Sequence, residues 1–178
     1  VEFGYDTTSR ELYRSETGRE PPDDYTDRAW MRWRRHQLTG LLRELRRSLP
    51  NPTRISLSPG PFRSAYNLWL QDWELWAVGS LIDDLVVQNY AYSLAGFAKD
   101  LNQPALVKAR GWGMPVEIGI LAGFGGRTPP MGTLGEKVRL SFEQGYGVIY
   151  FYWEGLWGLH AGPEGGAARQ AAFAQLHR

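Results

Sequence analysis

The sequence predicts an α/β fold in which four parallel strands alternate with flanking helices, and three observations carry that prediction. Four short apolar runs, near residues 55–59, 85–90, 116–121 and 148–153, are separated by stretches of helical periodicity. Each run leaves through a polar or Gly-rich exit, which is the grammar of repeated βα units. The last run, Val148 to Trp153, is too short and too apolar for a half-exposed strand and reads as a strand buried on both faces. Four βα units make either half of a (β/α)8 barrel or a small doubly wound sheet. A complete barrel usually needs about 250 residues, so a chain of 178 reads as incomplete.

The elements follow in order. Residues 1–27, rich in Gly, Pro and charge, read as a long loop with one helical turn over Ser9–Glu16. From Asp27 to Leu49, Trp30, Trp33, Leu38, Leu41 and Leu45 share one helical face, and Arg28, Arg32, Arg35, Arg43 and Arg46 the other. Thr26 is placed to cap that helix, and Pro50 and Pro52 to stop it. RISLSP is the first strand. A helix over 67–79 carries Trp69, Trp73 and Trp76, with Gly79 at its C-terminal cap. LVVQNY is the second strand, 94–101 a helix, and 116–121 the third strand. The third strand runs into AGFGGRTPP, which lacks both GxGxxG and GxxxxGK spacing, so its glycines fit a turn or an open binding loop rather than a phosphate cradle. Helices over 134–144 and 167–176 flank the last strand.

Composition narrows the chemistry. A hydrophobic fraction of 43% argues for a buried core and against disorder. The net charge is +1 and the Arg-rich stripe has no interleaved aromatic platform, so it reads as a solvated face and no nucleic-acid partner is expected. Eight Trp and nine Tyr point instead to flat surfaces that stack on sugar C–H faces, although the same rings serve equally well in a core. The absence of Cys excludes disulfides, thiol nucleophiles and Cys-ligated zinc. His36, His160 and His177 have no triad or ligand spacing, so neither metal nor cofactor is expected. No stretch is apolar enough to span a bilayer, and none reads as a signal peptide. The chain begins on a bare Val1, and a preceding segment is expected to be missing.

In parallel α/β folds substrates bind at the C-terminal ends of the strands. Glu154 falls at such an end, among Tyr152, Trp153 and Trp157, and is the candidate catalytic carboxylate; the bland alternative is a Glu paired with an Arg. Its aromatic surroundings favour the proton-donor role over the nucleophile. Ser58, Tyr66, Asn67, Asp72, Gln88, Tyr90, Trp153 and Trp157 are the candidate substrate contacts, with Asn89 nearby. Gln88 and Tyr90 share one side of their strand, pointing to a barrel mouth or to a buried hydrogen-bond network. Asp72 fits a helix N-terminal charge at least as well as a catalyst. Acid, amide and phenol groups without Cys or clustered His are what glycoside chemistry uses: one carboxyl protonates the leaving oxygen and a second acts as nucleophile or base.

VEFGYD, ISLSPGPF with AYNLWLQDW, LVVQNY, IGILAGF and GVIYFYWEGLW, in this order and spacing, resemble the C-terminal half of the glycosyl-hydrolase-like family ten proteins, bacterial (β/α)8 barrels associated with polysaccharide cleavage. The resemblance covers nearly the whole chain. It implies that the four strands are the fifth to eighth of a barrel, and that the chain is a single-domain piece. Residues 1–27 would be the exit from the fourth strand, and 28–178 would run from the fourth to the eighth helix. It also implies an Asp-rich motif resembling DGIxFDD immediately upstream, absent here, and an extracytoplasmic location. One catalytic acid would then lie outside this chain, leaving the piece alone inactive. Two function classes follow: a glycoside hydrolase acting on a polysaccharide such as a bacterial cell-wall glycan, or a non-catalytic carbohydrate-binding protein. The open edges at 55–59 and 148–153 carry a further expectation of self-association.

Overall fold

The structure, a computed structural model, describes residues 3–162 and 164–176; Val1 and Glu2 of the opening segment and His177 lie outside the described residues. The N-terminal segment is more ordered than its composition implies. Asp6 accepts the Ser9 N–H at 3.0 Å and caps α1 (Thr7–Thr17), which Gly18 closes in the left-handed region at φ 68°. The expected single turn is therefore a helix. Tyr13 holds it in place, edge-on to Trp30 and Trp33 at 4.9 and 5.1 Å.

The next helix, α2 (Arg28–Ser48), is capped by Asp27, whose Oδ1 accepts the Trp30 N–H at 2.9 Å. Thr26 does not cap it; its hydroxyl is engaged by Asp24 at 2.6 Å. Trp30 is fully buried, but Leu41 and Leu45 are exposed, against the expectation that they share a buried face. The face turned inward is set by other bonds: the Trp76 indole N–H donates to Thr39 Oγ1 at 2.9 Å, and Arg46 donates to Asp83 at 2.6 Å. Residues seven apart share a side of a helix, so Thr39 and Arg46 rotate in and carry Leu41 and Leu45 out. Arg34, also on α2, is buried against the carbonyls of Phe3 and Tyr25.

The sheet contains β1 (Ser56–Leu57), β2 (Asp84–Asn89), β3 (Val116–Leu121) and β4 (Gly147–Phe151), in the spatial order β1-β2-β3-β4 with every pairing parallel. The single helix expected over 67–79 is two, α3 (Phe62–Leu68) and α4 (Trp73–Val78). Leu70, at φ 60°, breaks the helical path, and Asp72 caps α4. An α5 (Leu94–Leu101) is capped by Ser93, and a further helix, α6 (Pro104–Gly111), begins with Pro at its first position. The remaining helices are α7 (Met131–Glu143), the one-turn α8 (Trp153–Leu156) and α9 (Gly166–Leu176). This is an α/β arrangement consistent with half of a (β/α)8 barrel.

The core lies on one side of the sheet. Leu85, Val87, Val116, Ile118 and Ile120 point to the helices and pack with Phe97, Leu101, Leu106, Leu134 and Val138. On the other face the strand alternation places Val86 and Gln88, then Glu117 and Gly119, then Ile149 and Phe151. β4 is therefore not buried on both faces: Ile149 is 44% and Phe151 41% exposed. Its apolar run reflects two uses, with Val148 and Tyr150 facing helices and Ile149 and Phe151 facing outward at a sheet edge. Among the described residues, no helix is long and apolar enough to cross a membrane.

Candidate functional site

A parallel sheet sends all its strand ends to one rim, and most of the residues singled out above meet there. Ser58 follows β1 and Gln88 lies in β2. The Gln88 amide donates to the Ser58 carbonyl at 2.8 Å and to its hydroxyl at 3.2 Å, while the Ser58 hydroxyl donates to the Val86 carbonyl at 3.1 Å. Tyr90 continues from β2 and stacks on Phe151 of β4 at 5.3 Å, with Gly119 of β3 beside its ring. A Cβ at Gly119 would lie 3.7 Å from the Tyr90 ring and 3.4 Å from the Gln88 backbone, ordinary van der Waals distances that place the ring beside this strand. Burial pushes the Tyr90 phenol up. Lys137, almost wholly buried, donates to the Ala91 carbonyl at 2.7 Å and fixes the loop behind Tyr90. Burial lowers its ammonium below the usual lysine range.

Glu154 is not the last residue of a strand. β4 stops at Phe151, and Glu154 sits in the first turn of α8. The turn is set by a close backbone approach: a Cβ on Gly155 would come within 2.5 Å of the Gly123 backbone, so α8 can rest on the end of β3 only through glycine. The Glu154 carboxylate accepts the Leu159 N–H at 3.2 Å, and its own carbonyl accepts the His160 N–H at 2.9 Å. Gly158 gives the carboxylate its room, since a Cβ there would overlap Oε2 at 1.9 Å. Glu154 is partly exposed and makes no ion pair among the described residues. Trp153 is 64% exposed and meets Trp157 edge-on at 4.9 Å; Trp157 in turn meets Phe173 of α9.

Three of the predicted contacts lie elsewhere. Tyr66 faces α2, with the Arg35 guanidinium 4.0 Å over its ring, and Asn67 bonds back to the Arg63 carbonyl of its own helix. Asp72 is the α4 cap, accepting the Leu75 N–H at 3.3 Å. Asn89 points to the helix side, where its amide donates to the Phe97 carbonyl at 2.9 Å.

The rim also contains residues that the sequence reading passed over. Phe124 is 57% exposed, and its ring lies 6.3 Å from both Phe151 and Tyr152. It is presented by a tight two-residue turn: Phe124 and Arg127 exchange both backbone hydrogen bonds around Gly125 and Gly126, which have φ 56° and 77°. Arg127 lies 5.5 Å over the ring of the exposed Tyr92. The signal for Phe124 was present in GFGG, a bulky apolar residue with glycines on both sides, which no core strand or helix explains.

Among the described residues of the strands, the other carboxylates on the open face, Asp84 and Glu117, are deep. Glu117 pairs with Gly147, at the start of β4, and so lies the length of that strand, about 13 Å at the usual rise, below the rim. No group of three or more His, Asp or Glu side chains suited to a metal ion occurs among the described residues. Among the described residues, the rim offers one partly exposed carboxylate, an amide–hydroxyl pair and several aromatic faces.

The sequence model of the glycosyl hydrolase-like 10 family matches residues 1–138, from the N-terminal segment into α7. β4, α8 and Glu154 lie beyond the matched residues. No curated protein matches the chain. Matched over well more than half its length, the chain belongs to the glycosyl hydrolase-like 10 family.

Proposed function

We propose that the rim is a carbohydrate site of glycoside-hydrolase type, acting on a polysaccharide, with Glu154 as the proton donor. The observation that supports this reading is that a partly exposed carboxylate and the rings of Tyr90, Tyr92, Phe124, Phe151 and Trp153 all belong to segments at or just beyond the C-terminal ends of one parallel sheet. Aromatic faces bind sugar rings by stacking, and the Ser58–Gln88 pair supplies hydroxyl partners. Glycoside cleavage needs two carboxyl groups, about 5 Å apart for retention and roughly 6.5–9.5 Å for inversion. Glu117 and Asp84 are both too deep to be the second, so in this reading that group comes from strands outside these four, and the 178-residue chain acts as part of a longer barrel.

The test compares the parent protein with its Glu154→Gln variant for reducing-sugar release from bacterial cell-wall and other polysaccharides. Loss of a general acid lowers the rate by about 10²–10⁴-fold. Equal activity on a substrate with a poor leaving group would remove Glu154 from the mechanism. The rim's one carboxylate among the described residues also supports a second reading, a carbohydrate-binding protein without catalysis; glycan binding by the parent with no turnover under any condition would select it.

The outer edges of β1 and β4 carry unpaired strand backbone, and we infer that the isolated chain self-associates through them. Size-exclusion chromatography with light scattering should show oligomers, and a stable, well-folded monomer would refute this.

A further inference from the structure

Behind the rim, Arg169 of α9 has no exposed surface, and its side chain reaches three separate segments. Nε donates to the Leu156 carbonyl of α8 at 2.9 Å, and Nη2 donates to the Ala122 carbonyl just past β3 at 3.2 Å. Nη1 donates to the Pro129 carbonyl at 3.1 Å and to Glu164 Oε2 at 2.8 Å. Glu164 in turn accepts the Met131 N–H at 3.0 Å through its other oxygen. That backbone bond first, and Arg169 after it, hold the Glu164 carboxyl below the usual glutamate range.

Attachment of α9 does not require this arginine. Phe173 packs on Tyr150 at 4.8 Å and on Trp157 at 5.2 Å, and an apolar side chain at position 169 would dock the helix without burying a charge. What only a guanidinium provides is a planar fork of donors for carbonyls that come from different segments. Those carbonyls belong to the backbone stretches that present the rim: Ala122 precedes the Gly123–Arg127 turn with Phe124, Pro129 ends that loop, and Leu156 follows Glu154. The Thr128 hydroxyl, donating to the His160 carbonyl at 2.5 Å, joins the same two stretches on the rim side.

We propose that Arg169 is a positioning residue for the rim, locking the Phe124 turn and the Glu154 helix into one relative placement from behind the sheet. The proposal rests on the carbohydrate reading only for its functional consequence. Its direct test is hydrogen exchange on the chain carrying Arg169→Gln or Arg169→Lys. Amides of residues 123–131 and 154–160 should exchange about tenfold faster in the Gln variant, with an intermediate effect in the Lys variant, while those of β2 and β3 hold their wild-type rates. Should the Gln variant fail to fold, the Lys variant carries the measurement. A uniform rise over the whole sheet, or an unchanged rim, would overturn the proposal. The second arm titrates the parent protein and its two variants with soluble cell-wall glycan fragments and cello-oligosaccharides, followed by tryptophan fluorescence. Weaker binding in Gln, with a smaller loss in Lys, supports the functional consequence. Wild-type binding with no change in either variant overturns it. No binding by wild type, together with a loosened rim in the variants, would sink the carbohydrate reading and leave the positioning role standing.

Discussion

The two faces of the sheet are built from neighbouring residues of the same strands, yet they do different things. In β2, Leu85 and Val87 are wholly buried against the helices, while Val86 and Gln88 between them remain partly exposed on the other face. In β4, Tyr150 packs on Phe173 while Phe151 stacks on Tyr90 in the open. One residue of sequence thus separates a side chain that stabilises the fold from one available to a ligand. The helix side should respond to substitution through stability, and the rim through binding.

The largest expected effect tests the helix side. Phe97, fully buried and with its carbonyl bonded to Asn89, should cost about 3–5 kcal/mol of stability as Phe97→Ala, read as a shift of the chemical-denaturation midpoint. A cost below about 1 kcal/mol would show that this side is not the cohesive one. The rim gives the converse. Trp153→Ala removes a largely exposed ring, so stability should change by no more than about 0.5 kcal/mol while glycan affinity falls about tenfold, or about 1.4 kcal/mol. Equal losses in both quantities would erase the distinction between the faces.

The smallest effect lies at the opposite end of the sheet. Asp83, just before β2, accepts the Ile55 N–H and an Arg46 N–H, each at 2.6 Å. These bonds, the backbone one first, hold its carboxyl below the usual aspartate range. A folded-state pKa below the unfolded value of about 3.9 means that the stabilisation is present above that pH and is lost as pH falls through the folded pKa. Asp83→Asn should therefore lower stability at neutral pH and flatten its decline under acid, with no change in glycan affinity. An unchanged acid limb would mean that Asp83 does not link β1 to β2.

Much of the fold was legible in the order of residues. The four strands announced themselves as short runs of Val, Ile and Leu ending in polar or glycine exits, and α5 spans the same residues, Leu94–Leu101, that periodicity assigned. These signals are local, because strand and helix periods are written within a few residues of one another. The C-terminal rim was legible for the same reason: once the strands are parallel, their exits share an end, and Ser58, Gln88, Tyr90 and Glu154 follow from counting along each run. Other features were not. Val148–Trp153 looked like a strand buried on both sides because apolar residues serve equally as core and as an aromatic ligand face; edge position decides which, and that is set by pairing partners. The same holds for Tyr66 and Asp72, whose residue types suit a site but which lie under Arg35 of α2 and at the cap of α4.

Sequence by itself determined the alternation of strand and helix, the apolar side of β2 and β3, and the glycine turn after β3, since each depends on steric and hydrophobic preferences acting over a few neighbouring residues. Only tertiary structure decided that Glu154 rides on a helical turn, that Phe124 stands at the rim and that Arg169 braces both from behind. A guanidinium finds the carbonyls of Ala122, Pro129 and Leu156 only after the chain has brought those distant segments together, and no spacing along the sequence records that meeting.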